Sequence, residues 1–233
     1  MILALSPERP SGVLLCEDGA RPIEGERRDM SDEGFLVLAD ISGFTAFVTG
    51  TELEHGAEIT GALLETVMHR LAPPLEIQEL EGDAVFAIGA DRLVDSRLVP
   101  SALMDAFRGF REVQRTMALD ESCSCGACRE TARLNLKVIA HHGRFVRQVV
   151  GGHARVAGPD VILAHRLLKN PVDATGYLLF TEPALERAGV DPMASGMERR
   201  LISYAYLGEM PCFVADPEPG WQPTFAEATV GAA

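Results

Sequence analysis

The residues of this sequence best placed to do chemistry are two aspartates and a cluster of cysteines. Asp40 follows the apolar run "FLVLA" and leads into the turn "ISGFT", and Asp83 sits in the corner of "LEIQELEGDAVFAIG". Two carboxylates brought side by side repel each other unless a proton or a cation lies between them. Oxygen ligands of this kind suit Mg²⁺ or Mn²⁺, which complete their shells with water and phosphate. The same residues also have a plainer role, in which Asp40 caps the next turn and Asp83 only makes a hairpin corner. Spacing alone leaves both roles open.

The cysteines Cys123, Cys125 and Cys128 in "SCSCGAC" have a CxCxxC spacing, dense enough to set three thiolates around one soft ion. Zinc usually takes a fourth ligand, for which His141, His142, Cys212 and Cys16 are the candidates. The alternatives are a redox-sensitive loop or three small, partly buried thiols. His141 and His142 serve equally well as strand-end residues beside Gly143. A total of five cysteines, an odd number, favours thiols or a metal over a disulfide framework.

Elements must position these groups. Phe35 to Asp40 reads as a short strand buried on both faces. Thr51 and Glu54 fit a capping box, after which Ile59, Leu63, Val67 and Leu71 recur at helical spacing until Pro73-Pro74 stops the helix. Residues 75–89 read as a hairpin turning at Glu-Gly-Asp. A second helix runs from Ser101 to Met117 with Leu103, Phe107 and Phe110 on one side. Leu134, Leu136, Val138 and Ala140 alternate as in a half-buried strand. Gly158-Pro159 opens a helix ending near Asn170, and "GYLLFT" and "ERRLISYAYLGEMPCFVA" add strands. The order is roughly βααββαβαββ, an α+β fold of the ferredoxin-like, palm type: helices on a mostly antiparallel sheet.

The chain has 233 residues, enough for one domain with a full core, and its hydrophobic share of 47% is that of a globular protein. Its net charge of -13 argues against an extended nucleic-acid surface, though not against a local nucleotide pocket where a cation supplies the positive charge. No apolar stretch approaches the roughly 20 residues needed to span a bilayer, and the N-terminus makes a poor signal peptide. The expected setting is cytoplasmic. Residues 1–30 read as a mobile leader, with Met30 a natural alternative start. Residues 31–215 form the domain, and residues 216–233 read as a flexible tail.

In order, the strings "LADISGFTAF", "ELEGDAVFAIG", "HHG" and "GPDVILAHRLL" resemble the motifs of class III adenylyl and guanylyl cyclases, over about Phe35 to Ala215. More closely, "LADISGFT", "CSCGAC" and "HRLLKN" resemble the bacterial DUF2652 branch of that superfamily. The resemblance implies a cyclase fold and a head-to-tail homodimer with its sites at the subunit interface. It also implies a nucleoside triphosphate held by two divalent metals, whose 3'-oxygen attacks the α-phosphorus and expels pyrophosphate. Asp40 and Asp83 match the metal-binding aspartates, and Ile41 the position whose carbonyl also meets a metal. Ser42, Gly43, Phe44 and Thr45 match the triphosphate-holding turn, and Arg166 the arginine that stabilises phosphate charge. Glu79 matches a base-reading position, where glutamate suits guanine. It shares a strand face with Leu75 and Ile77, which points it inward, unless it is an edge residue reaching solvent. The second base-reading position falls near Arg155, which fits neither nucleotide preference.

Two departures weigh against turnover. The ribose-orienting asparagine is replaced by Ile162, and the lysine of the last hairpin falls near Ala205 or Leu207. Lys169 and Asn170 are the only nearby substitutes. Three functions therefore stand: a cyclase, a weakened relative that binds nucleotide without efficient turnover, and an interaction module organised by cysteine-bound zinc.

Overall fold

The structure, a computed structural model, describes residues 31–119, 123–218 and 220–226. The leader expected over 1–30, Cys16 within it, and the tail beyond residue 226 lie outside the described residues.

The apolar run around Asp40 forms the centre of the sheet. In β1 (Ser31–Ser42), Gly34 to Ala39 are all buried. Phe35, Val37, Ala39 and Ile41 face one layer of the core, while Leu36 and Leu38 face the other. After β1 come α1 (Phe44–Gly50), α2 (Leu53–Leu71), β2 (Glu76–Glu81), β3 (Ala84–Ala90) and α3 (Val99–Ala118). The chain continues with α4 (Gly126–Glu130), β4 (Asn135–Val150), β5 (His153–Ala157), α5 (Pro159–Leu167), β6 (Tyr177–Thr181), α6 (Glu182–Ala188), β7 (Glu198–Tyr204) and β8 (Gly208–Ala215). The strands lie in the order β2-β3-β1-β4-β6-β8-β7, with β5 paired to the far half of β4. Among the described strands only the β4–β6 pair is parallel. The α+β, mostly antiparallel expectation holds, and β5, α4 and α6 are additions to it.

The two faces of the sheet are covered unequally. Residues of α1, α2, α3, α4 and α6 share one core layer with the sheet. On the other face α5 packs alone, through Val161, Leu163, Ala164 and Leu167. Alternation along β1 places Asp40 on this second face, beyond Leu38. There it pairs in register with Ala84 of β3 and Lys137 of β4.

Four local expectations are corrected. The capping box does not form: α2 begins after Glu52 with no side-chain cap, and the Thr51 hydroxyl donates instead to the Phe47 carbonyl at 2.7 Å. Helix α5 stops at Leu167, because the Asn170 side chain donates to the Leu167 carbonyl and accepts from the Val172 amide, closing the chain into a turn. In β2 the register slips between Ile77 and Glu79, so Ile77 lies opposite Ala87 but Glu79 lies opposite Phe86. One extra residue in a strand reverses the faces that follow, so Glu79 leaves the side of Leu75 and Ile77 and joins α5. Finally, within the stretch after Asp216 the described residues 220–226 are docked rather than loose. Trp221 packs on Phe180 at 5.9 Å between ring centroids and donates from Nε1 to the Ser195 carbonyl, and the Asp191 and Ala226 amides bond to Thr224 and Gly189.

Candidate functional site

Asp40 and Asp83 converge where β1 ends and the β2–β3 hairpin turns. The Ile41 amide donates to the Asp83 carbonyl at 3.2 Å, tying the strand end to the hairpin corner. With Lys137, the two aspartates and residues Ile41 to Ala46 line one pocket of about 380 Å³. Asp83 has its pKa raised, first by burial and then by the negative charge of Asp40. Lys137 Nζ stands 2.8 Å from Asp40 Oδ2 and also donates to the Leu168 carbonyl at the end of α5. The lysine thus places a single positive charge against one carboxylate and leaves the other partly compensated. The sequence reading did not identify Lys137; its signal was the register that sets it beside Asp40.

The turn from Ser42 to Thr45 lines the same pocket. Gly43 has φ 87°, a left-handed conformation that a side chain resists, and it caps α1 without any side-chain hydrogen bond. Phe44, Thr45 and Ala46, the first turn of α1, line this pocket, and among the described residues no side chain takes up the unpaired amides that such a turn carries. The pocket offers carboxylates for a cation beside amides for an anion, the chemistry of a metal–polyphosphate pair.

The remaining expected residues lie apart from this pocket. Glu79 accepts from Arg155 Nη2 at 3.1 Å, and both line a separate pocket of about 60 Å³ with Gln78, Phe86, Val161 and His165. The two residues that the resemblance matches to base reading are thus joined to each other by an ion pair within one chain. Arg166 is exposed on α5, and its guanidinium has no hydrogen-bond or ion-pair partner among the described residues. Ile162, 54% exposed, projects from the same helix. Asn170 spends its amide on Leu167 and on the Tyr177 hydroxyl, which removes it as a substitute. Leu207 packs against the core and Ala205 is exposed in the β7–β8 turn.

The cysteines form a second centre. Cys123, Cys125 and Cys128 gather around His55, with the four ligand atoms within 4.8 Å of one another. His55 Nδ1 lies 3.1 Å from Cys125 Sγ, 3.7 Å from Cys123 Sγ and 3.8 Å from Cys128 Sγ. None of the fourth ligands expected from the sequence within the described residues belongs to it. His141 bonds Thr181 and Asp160, His142 bonds Asp91, and Cys212 is buried in β8. The thiol of Cys125 is lowered to about 7, chiefly by the Cys128 amide donating to its sulfur, while burial raises Cys128 to about 12.

A larger hollow of about 720 Å³ lies between α3 and the segment after Pro217, but Glu218 already pairs with two of its arginines, Arg111 and Arg115.

A central mostly antiparallel sheet, one helix alone on its second face and paired aspartates at a strand end define a nucleotide cyclase-like fold. Solved structures agree. The guanylyl cyclase Cya2 superposes with a TM-score of 0.62 at 16% identity, covering 82% of this chain and 97% of that one. The adenylyl cyclase CyaB from P. aeruginosa gives 0.62 at 15%, covering 82% and 98%. The guanylyl cyclase domain of the RhoGC fusion protein from the fungus Blastocladiella emersonii gives 0.54 at 14%, covering 82% and 98%. At such identities the likeness establishes the fold alone. The chain belongs to the family described as protein of unknown function (DUF2652), matched over residues 60–177. An uncharacterized protein, Rv2561/Rv2562, of Mycobacterium tuberculosis is 37% identical over 122 residues, 52% of this chain and 56% of the relative. The aligned region therefore spans little more than half of that relative's length.

Proposed function

We propose that this chain binds a nucleoside triphosphate together with Mg²⁺ or Mn²⁺ at Asp40 and Asp83, in a cyclase-like homodimer whose turnover to a cyclic nucleotide is slow. The observation that carries this reading is the shared pocket of the two aspartates and the Ser42–Thr45 turn, with the pKa of Asp83 raised by burial and then by its neighbour's charge. The residues present fit the metals: two carboxylates and the Ile41 carbonyl are oxygen donors, and water and phosphate supply the rest of each shell. A divalent ion bound there neutralises phosphate charge and polarises the phosphoryl group.

The chain's own groups divide the remaining tasks. Asp40 and Asp83 would hold the cations, the Ser42–Thr45 amides would hold the polyphosphate, and Lys137, now paired with Asp40, would supply positive charge beside the phosphates. Arg166 lies outside this pocket, and so does the Glu79–Arg155 pair. A second copy packed head to tail brings its own Arg166 to the phosphates, so each site draws on both subunits. The cyclase-like unit is residues 31–215, with residues 216–226 strapped to it. A cytoplasmic setting supplies both nucleotide and metal; among the described residues no helix is long and apolar enough to cross a membrane.

Slow turnover follows from what is missing. Ile162 offers no hydrogen bond to a ribose, and neither Ala205 nor Leu207 offers charge to the phosphates. Removing one such group costs about 100- to 1000-fold in rate, while binding through the aspartates survives.

Purified protein incubated with ATP, GTP, CTP and UTP plus Mn²⁺, with products read by mass spectrometry, tests this directly. We expect Mn²⁺-dependent nucleotide binding, a slow cyclic product, and loss of both in Asp83→Ala. Binding that survives in Asp83→Ala, or an absence of binding to all four nucleotides, overturns the reading.

A further inference from the structure

A Cys₃His arrangement matters only if its geometry suits one ion and its surroundings favour thiolates. In a tetrahedral zinc site with Zn–S near about 2.3 Å and Zn–N near about 2.0 Å, neighbouring ligand atoms stand about 3.5–3.8 Å apart. The nitrogen–sulfur edge is the shorter of these, about 3.5 Å; His55 Nδ1 to Cys123 and Cys128 Sγ, at 3.7 and 3.8 Å, lie slightly outside it, and the 3.1 Å approach of Cys125 lies slightly inside it. All three cysteines are free thiols.

The surroundings are built for it. The Cys128 amide donates to Cys125 Sγ at 3.4 Å, a bond that favours a sulfur carrying negative charge. The Glu52 carboxylate accepts from the Gly126 and Ala127 amides at 3.1 and 3.0 Å, which fixes the backbone between the two cysteines. Gly126 leaves room for that carboxylate, since a Cβ there would stand 3.1 Å from Glu52 Oε2. On the inner side, Ala127 is fully buried and Cys125 and Cys128 pack against the core.

We propose that His55, Cys123, Cys125 and Cys128 bind one Zn²⁺ as a closed structural site, separate from the aspartate pocket. Four protein ligands leave no open position for substrate or water, so the ion is structural in kind. Binding displaces the remaining thiol protons to solvent and leaves the imidazole neutral, with Nδ1 as the donor atom. The ion joins the start of α2 to α4, two elements that are also in contact with α1, the helix that follows the phosphate turn. Zinc thereby anchors the segment on which the turn is mounted. This assignment stands on the cysteine cluster alone and does not depend on nucleotide binding.

The test is metal analysis of the full chain purified from zinc-supplemented cells, followed by titration of the stripped protein with Co²⁺. We expect about one zinc per chain. With Co²⁺ we expect intense visible bands of a tetrahedral ion together with thiolate-to-cobalt charge transfer. His55→Cys should keep zinc and red-shift the cobalt bands as a fourth thiolate enters, whereas His55→Ala should lose most of the affinity. Because His55→Cys preserves a complete ligand set, it guards against a variant that merely fails to fold. Zinc-free wild-type protein that also shows no cobalt bands overturns the proposal. So does a cobalt spectrum unmoved by His55→Cys, which would mean that His55 is not a ligand.

Discussion

Asp83 is held partly out of water within reach of the charge on Asp40, and both effects raise its pKa from the ordinary 3.8. A raised value means that the folded protein binds this proton more tightly than the unfolded chain does. Its contribution to stability is therefore complete below pH 3.8 and is lost as pH rises through the folded value. Asp83→Asn removes that loss. In metal-free protein at neutral pH it should raise the thermal midpoint by about 2 °C and flatten the acid side of the stability profile. A midpoint that is unchanged or lower would show that Lys137 already balances the pair. Asp40 and Asp83 were legible in the sequence because each breaks an apolar pattern at a point where chain direction changes. Lys137 was not, because only strand register sets it against Asp40. His55 was missed for a similar reason. It lies on another element, far from the cysteines in sequence, while the adjacent pair His141 and His142 drew the reading toward β4.

Among the elements, the contact between β4 and α5 depends on a glycine. A Cβ at Gly143 would stand 2.4 Å from the Asp160 Cγ, so only glycine admits that carboxylate. Asp160 accepts from the Arg144 amide at 2.7 Å and meets His141 Nε2 at 3.4 Å, which lowers its pKa. Gly143→Ala must expel the carboxylate and break these bonds, at a cost of about 1–3 kcal/mol in stability. Denaturant unfolding measures it, and an unmoved midpoint would show that Asp160 holds nothing essential. Periodicity located the long elements well, because α2 and α3 bury one stripe and Pro73-Pro74 ends the first of them. It failed where a single residue changes the phase. Nothing in "LEIQELEGD" marks the slip at Gln78, so the inward expectation for Glu79 followed the strand rule faithfully and reached the wrong face.

For the whole molecule, the expected site residues divide between two pockets and an exposed helix, and the proposed head-to-tail dimer is the arrangement that would unite them. Variants of the two halves should then complement each other. Mixing Asp83→Ala with Arg166→Ala protein, under conditions where subunits exchange, should restore about a quarter of the wild-type sites. Half of the dimers are then mixed, and each mixed dimer has one intact site. The rate of cyclic-nucleotide formation with Mn²⁺ reads this, and a mixture no faster than its two components would place each site within one chain. The fold class was legible from motif order, while the docking of Trp221 was not, since a Pro-rich stretch gives no periodic signal. The slip in β2 also sets what mutation can change. The face on which Glu79 lies follows from the extra residue in the ladder, so no exchange of Glu79 for another amino acid returns that position to the side of Leu75 and Ile77, whereas deleting one residue at Gln78 would.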